Sequence, residues 1–288
     1  MTSNDISNTR QLLERVSNDD LEPLVEYILK ARTESLSKQV DFKRWHPEHR
    51  RYASAILDEL RLFGGNSFAN LWRKSEPSYT EVVRDVAGKL KVKGVGSMEL
   101  IELEEAMVQS ILRQALEKSS GEDRRELEEI LRDAGLDKTK MTALLNGSAL
   151  SGLVVPAVAR MILYRTSTVI VNSMAQQLLG HGLRSAVVAG GTFAGGRAVA
   201  ALAGPVGWVI AGVWTAVDLA GPAYRVTIPC VLHIAMLRLK ARAEAATDFM
   251  NGAFDGRATC DLRCSGGDCR GAEKRCLRTY RWRHPQSR

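Results

Sequence analysis

At 288 residues, with 45% hydrophobic and 25% charged side chains, the chain is long enough to bury a substantial core and too apolar to stay disordered. The formal charge of +7 does not make it a nucleic-acid binder: from Gly252 onward nine basic residues stand against four acidic ones, so the tail supplies +5 of the +7 and no specific nucleic-acid partner is expected. Residues Met1 to Ile6 lack the basic and apolar parts of a secretory signal, and four of the five cysteines crowd the last thirty residues, which together point to a non-secreted, cytoplasmic chain rather than a disulfide scaffold.

Residues 5 to 32 read as a helical hairpin, with Leu12, Leu13 and Val16 on one helix and Leu21, Leu24, Val25 and Ile28 on the next at helical spacing. Ser17 or Asn18 caps the second helix, and Pro23 falls early in it. A polar stretch from Thr33 to Arg44 follows. The apolar positions Tyr52, Ala53, Ile56, Leu57 and Leu60 predict a helix over 47–61, ended near Gly64 and Gly65. Short and medium helices are expected over 68–72 and 79–90. A long helix over 98–118 turns Leu100, Ile101, Leu103, Met107, Ile111, Leu112 and Leu116 inward and Glu99, Glu102, Glu105 and Arg113 outward. Helices over 122–132 and 138–145 end at Gly135 and at Asn146-Gly147. The β-branched run Thr166 to Val171 has strand character, yet a lone strand has no pairing partner, so helix is expected there too.

The second half changes character. Residues 198–217 carry no charge, about the length needed to cross a hydrocarbon core, and Gly191 and Gly195 open a small-residue series continued by Gly204, Gly207 and Gly212. Three readings stand. The segment spans a bilayer, with Arg197 and Asp218 at the interfaces and Trp208 or Trp214 against a partner helix. Alternatively, Gly204 and Pro205 break it into a hairpin that lies shallowly in a membrane. In the third, it packs as buried helices of a core. The internal Pro205 and the flanking Arg197 favour an element made for helix packing. From Val231 to Ala245 a helix is expected, with Arg238, Lys240 and Arg242 on its last turns, where they suit the helix dipole, and with His233 as a hydrogen-bonded core residue.

His46 and His49 could belong to a metal site, but Pro47 puts them on different faces, so a solvated helix start is expected. Asp58 with Glu59, and Glu81 with Asp85, are acid pairs read as exposed helix faces because Arg61 and Arg84 lie within one turn. Cys260, Cys264, Cys269 and Cys276 are candidate zinc thiolates. Their spacings lack tight CxxC pairs, so an unstructured basic tail is the reading and no cofactor is expected. No nucleophile, triad or phosphate loop stands out, and the chain is read as not an enzyme.

The segments Leu57 to Asn70, Tyr79 to Val92 and Ala223 to Arg238 resemble, in this order, the YaaW-like family of bacterial proteins, and Leu13 to Leu29 looks like the short domain preceding that family's main domain. The resemblance covers residues 5 to 245; the tail departs from it. The family's main domain is similar to the ubiquinol-cytochrome c chaperone, which implies a helical fold and work on membrane-protein clients, and it carries no catalytic positions to transfer.

The expectation is therefore an all-α chain: a short helical hairpin over 1–36, an amphipathic helical body over 37–150, an apolar Gly-rich helical region over 151–250 and a basic Cys-containing disordered tail over 251–288. The expected function is a non-enzymatic factor that binds protein clients or itself at or near the inner membrane, chaperone-like in assembly or quality control. The alternative is a membrane-active effector that inserts the Gly-rich hairpin.

Overall fold

The computed structural model describes residues 3–30, 35–65, 77–133, 135–149, 156–179 and 224–254. Among them every regular element is helical. In chain order these are α1 (Ser3–Arg15), α2 (Asn18–Lys30), α3 (Ser35–Lys38), α4 (Val40–Trp45), α5 (Ala53–Gly65), α6 (Tyr79–Lys89), α7 (Leu100–Lys118), α8 (Gly121–Asp133), α9 (Lys138–Leu145), α10 (Pro156–Leu179) and α11 (Tyr224–Phe254). A 3₁₀ turn, His49–Tyr52, leads into α5.

Local chemistry explains where the elements begin. Ser17, not Asn18, caps α2: its hydroxyl accepts from the Asp20 N–H at 3.1 Å. Ser78 and Glu81 form a reciprocal capping box at α6, the Glu81 carboxylate accepting from the Ser78 N–H at 2.7 Å. Asp137 caps α9 through the Lys140 N–H at 2.9 Å. Gly135 ends the turn after α8 at φ +103°, a backbone conformation that side chains with a Cβ rarely adopt.

One core joins these helices. Leu21, Leu24 and Ile28 of α2 meet Ile56, Leu57 and Leu60 of α5, Val82, Val83 and Val86 of α6, and the stripe Leu103, Met107, Ile111 and Leu116 of α7. The α10 helix packs on α2 and α7. The face of α11 from Val226 to Leu239 is almost wholly buried. All of this lies in one compact unit, Met1–Thr247.

Several expectations need correction. The stretch 33–44 is not simply polar: it holds α3 and α4, because Leu36 is buried and Phe42 packs against the core. Ile101 is 37% exposed rather than inward, whereas Glu104, absent from the expected stripe, is buried. Continuing past residue 245 to Phe254, α11 also starts before Pro229. Its continuation, Ala241 to Ala246, is rich in strong helix formers. Pro229 lacks the N–H that would reach the carbonyl of Arg225, yet the helix runs through it. Arg238, Lys240 and Arg242 therefore sit mid-helix and not at a helix end. Thr166 to Val171 is helical, inside α10. The expected helix over 68–72 lies outside the described residues, as do the Gly-rich residues 180–223 with Gly191, Gly195, Gly204, Pro205, Gly207, Trp208, Gly212 and Trp214, and the four tail cysteines. Among the described residues no helix is long and apolar enough to cross a membrane.

Candidate functional site

The polar chemistry inside the body gathers along α11. Arg238 and Arg242 are one turn apart and so share a face, whereas Lys240, two residues on from Arg238, points to another side. Two adjacent residues of α7 receive the shared face. Arg238 Nε donates to Glu104 Oε2 at 2.6 Å, and Arg242 donates to Glu105 Oε1 at 2.6 Å. Lys240 Nζ reaches both carboxylate oxygens of Asp20 on α2, at 3.1 and 2.9 Å. Three ion pairs thus fasten α11 to the two helices beneath it.

The Glu104–Arg238 pair is the most deeply buried, with side chains 1% and 6% exposed. Its remaining polar capacity is filled by neighbours. Tyr79 Oη donates to Glu104 Oε1 at 3.3 Å, and Arg238 donates to Thr9 Oγ1 at 3.0 Å and to Asn8 Oδ1 at 3.3 Å. Burial raises the Glu104 carboxyl above its ordinary range, and the charge and hydrogen bonds of Arg238 and Tyr79 only partly pull it back. Burial, then the Glu104 charge, holds the Tyr79 phenol well above its usual range. At Lys240 desolvation disfavours the ammonium, but the hydrogen bond and charge of Asp20 outweigh it and the net shift is upward.

Beside this network lies a cleft of about 620 Å³ between α1, the start of α2, the start of α7 and α11. Gln11, Arg15, Ile101, Lys240, Arg242 and Glu244 are among the residues that line it. Arg242 and Lys240 enter the wall already paired to Glu105 and Asp20.

His233 is completely buried and donates from Nε2 to the Asp20 carbonyl oxygen at 2.7 Å, the core role expected of it. Its ring stands edge-on to Tyr27, with centroids 6.2 Å apart. Burial lowers its pKa to about 4, only partly opposed by Asp20, so the imidazole is neutral at neutral pH. Cys230, on the same helix, is also fully buried, and desolvation pushes its thiol pKa up, the opposite of what a nucleophile needs.

His46 and His49 converge after all: Nδ1 of each lies within hydrogen-bonding reach of the Tyr52 hydroxyl, at 3.3 and 2.5 Å. His49 is buried rather than solvated, and its pKa is lowered by desolvation first and the neighbouring His46 second, with Glu22 and Asp19 opposing. Among the described residues no group of three or more His, Cys, Asp or Glu side chains could hold a metal. Asp58 pairs with Arg61 at 3.2 Å, as a surface residue does. Glu59, by contrast, is 2% exposed, and its Oε2 has no hydrogen-bond partner among the described residues, which corrects the reading of both acids as solvated. Glu81 is used in the cap of α6.

The residues that the sequence reading missed are Glu104, Tyr79, Thr9 and Asp20. One signal was available for Glu104: it falls four residues after Leu100 and three before Met107, on the apolar stripe itself, where an unpaired carboxylate would be costly.

Comparison with known proteins places the chain. It is 35% identical over 240 residues to a UPF0174 protein of Helicobacter pylori strain J99, which covers 81% of this chain and 91% of that one. It is 32% identical over 194 residues to the UPF0174 protein YaaW of Escherichia coli K12, covering 67% and 74% respectively. No family model matches, and no solved structure does. The chain belongs to the UPF0174 (YaaW) family.

Proposed function

We propose that this member of the UPF0174 family is a non-enzymatic protein-binding factor acting at or near the membrane, with the Gly-rich residues 180 to 223 as its client-binding element. One observation carries the reading: that stretch, whose only charges are Arg184, Arg197 and Asp218, lies between α10 and α11, two helices sunk in the core. Small residues at the spacing of Gly191 and Gly195 allow backbones to approach closely, which suits capture of a partner helix. Arg238, Lys240 and Arg242 of α11 are each paired with a carboxylate of α2 or α7, which gives these three cations a role in holding the helix. The resemblance to the ubiquinol-cytochrome c chaperone belongs to the same reading, with assembly or quality control as the task.

The test places a photo-crosslinking amino acid at Trp208 or Trp214 in cells. Discrete protein adducts are expected, lost when Gly191→Leu and Gly195→Leu are combined while the thermal melt of the body is unchanged. Adducts to lipid alone would favour the inserting effector, and adduct recovery that ignores both substitutions would remove the segment from the proposal.

A further inference from the structure

The helix α4 and the 3₁₀ turn after it present a face that neither the core nor the α11 network uses. No residue of α4 is buried. Phe42 and Trp45, three apart, form its inner side, and the exposed His46 follows as its C-cap. Phe42 stacks on His46 at 4.7 Å and meets Tyr52 edge-on at 5.4 Å, and Phe42 and Trp45 pack partly buried against the core. The complementary three-and-four set is Val40, Lys43 and Arg44, and it points outward. Val40 is 77% exposed, well above Leu62 and Ile101, the other exposed large hydrophobics among the described residues.

Cations flank this valine in the sequence. Lys38, Lys43, Arg44, Arg50 and Arg51 are all exposed, against the carboxylates Asp41 and Glu48 in the same stretch, and Glu48 is tied to Arg51 at 2.5 Å. The guanidinium carbons of Arg44 and Arg51 lie 4.8 and 4.2 Å from the Trp45 ring centre. Asp19, which is exposed, and Glu22, half-buried, act on His49 from α2, so the five cations of this stretch stand against four neighbouring carboxylates.

We propose that this face docks on the anionic headgroups of a lipid bilayer. Charge complementarity supplies the attraction, each lysine or arginine near an anionic surface adding its own increment. Val40, between the cations in the sequence, supplies a small apolar contact at the acyl boundary. Nucleic acid fits less well: base stacking on Trp45 would have to compete with Arg44 and Arg51 for the ring, and an exposed valine adds nothing to phosphate binding. The proposal deepens the membrane half of the function above, and it uses residues remote in sequence from 180–223, so client crosslinking and vesicle binding fail independently.

The experiment is vesicle flotation of the full chain, with phosphatidylglycerol-containing vesicles compared with pure phosphatidylcholine. Binding is expected only to the anionic vesicles and falls as salt shortens the screening length. Combining Lys43→Gln, Arg44→Gln and Arg50→Gln lowers the partition coefficient by roughly a hundredfold, about fivefold per cation. Val40→Ser, at a position too exposed to disturb folding, lowers it severalfold. Hydrogen exchange of peptides covering 38–54 slows when anionic vesicles are added, a readout that needs no variant. Unchanged partitioning of the triple variant, which would hand vesicle binding to the basic tail or to residues 180–223, overturns the proposal. So does unchanged exchange over 38–54, or loss of single-stranded RNA binding in the triple variant while vesicle binding persists.

Discussion

Replacing Arg238 by methionine tests the central claim about α11. The substitution keeps a long apolar stem but leaves the Glu104 carboxylate, 1% exposed, without the guanidinium 2.6 Å away. Removing one partner of a buried pair costs about 3–5 kcal/mol, because the remaining charge is left desolvated and uncompensated. Against a typical total of about 5–15 kcal/mol this is a large fraction. For a domain of this size each kcal/mol moves Tm by about 2–4 °C, so Arg238→Met should lower the midpoint by roughly 6–20 °C. The double variant Glu104→Leu with Arg238→Met removes both charges and should recover most of the loss, since apolar replacement of a whole buried pair is often neutral or better. Thermal unfolding followed by far-ultraviolet circular dichroism, on the parent, both single variants and the double, provides the cycle. A single variant that melts with the parent, or a double variant whose loss equals the sum of the singles, would refute the assignment of a buried, coupled pair.

Two further outcomes follow from named atoms. The folded state depresses the His233 pKa from 6.5 to about 4, so the unfolded chain binds its proton first on acidification. The stability it contributes is fully present above pH 6.5 and declines as pH falls toward 4, by up to about 3 kcal/mol. Denaturant unfolding across that window should show this slope in the parent and lose one proton's share of it in His233→Gln; equal slopes would contradict a neutral buried imidazole. Gly135→Ala forces a Cβ onto φ +103° and 3.2 Å from Ile162 Cγ1, whereas Gly147→Ala meets the same backbone problem at φ +91° with no atom within 4 Å. The first should cost more than the second, which is expected to lose about 1–2 kcal/mol from the backbone alone, and equal melting points for the two variants would exclude the Ile162 contact.

How much of this was legible in the sequence depends on the range of the interaction responsible. The α9 helix was readable to its ends, Lys138 and Leu145, because its Asn146-Gly147 stop is local; the Asp137 cap, equally local, went unread. The helical state of Thr166 to Val171 was readable because an unpaired strand is untenable. Reading α4 as a polar stretch failed because what orders it is tertiary: Phe42 and Trp45 reach the core although most of their neighbours are polar. Glu104 could be seen to break an apolar stripe, but its partner lies 134 residues away, and no periodicity names it. Nor could the cations of α11 be assigned. Lys240 finds Asp20 across 220 residues and Arg242 finds Glu105 across 137, so the dipole explanation was the only local one on offer.

These long-range pairs also bear on residues 180–223. Just before that stretch, Leu178 accepts a hydrogen bond from the Lys30 ammonium of α2, and Met174 and Ala175 are buried. Just after it, Tyr224 is buried under the Lys89 ammonium, 5.0 Å from its ring centre, and α11 goes on to Arg238, Lys240 and Arg242. Both helices that bound the stretch are therefore fastened to the body by contacts made outside it. None of those contacts is made by Gly191 or Gly195, so substitutions there are expected to let the body melt at the parent's temperature whether or not client capture is lost. Arg238→Met does the reverse, loosening α11 while leaving every residue of the stretch unchanged. If the fastening matters to function as well as to stability, crosslinking from Trp208 should weaken in Arg238→Met at temperatures well below its melting point, and the compensated double variant should restore it.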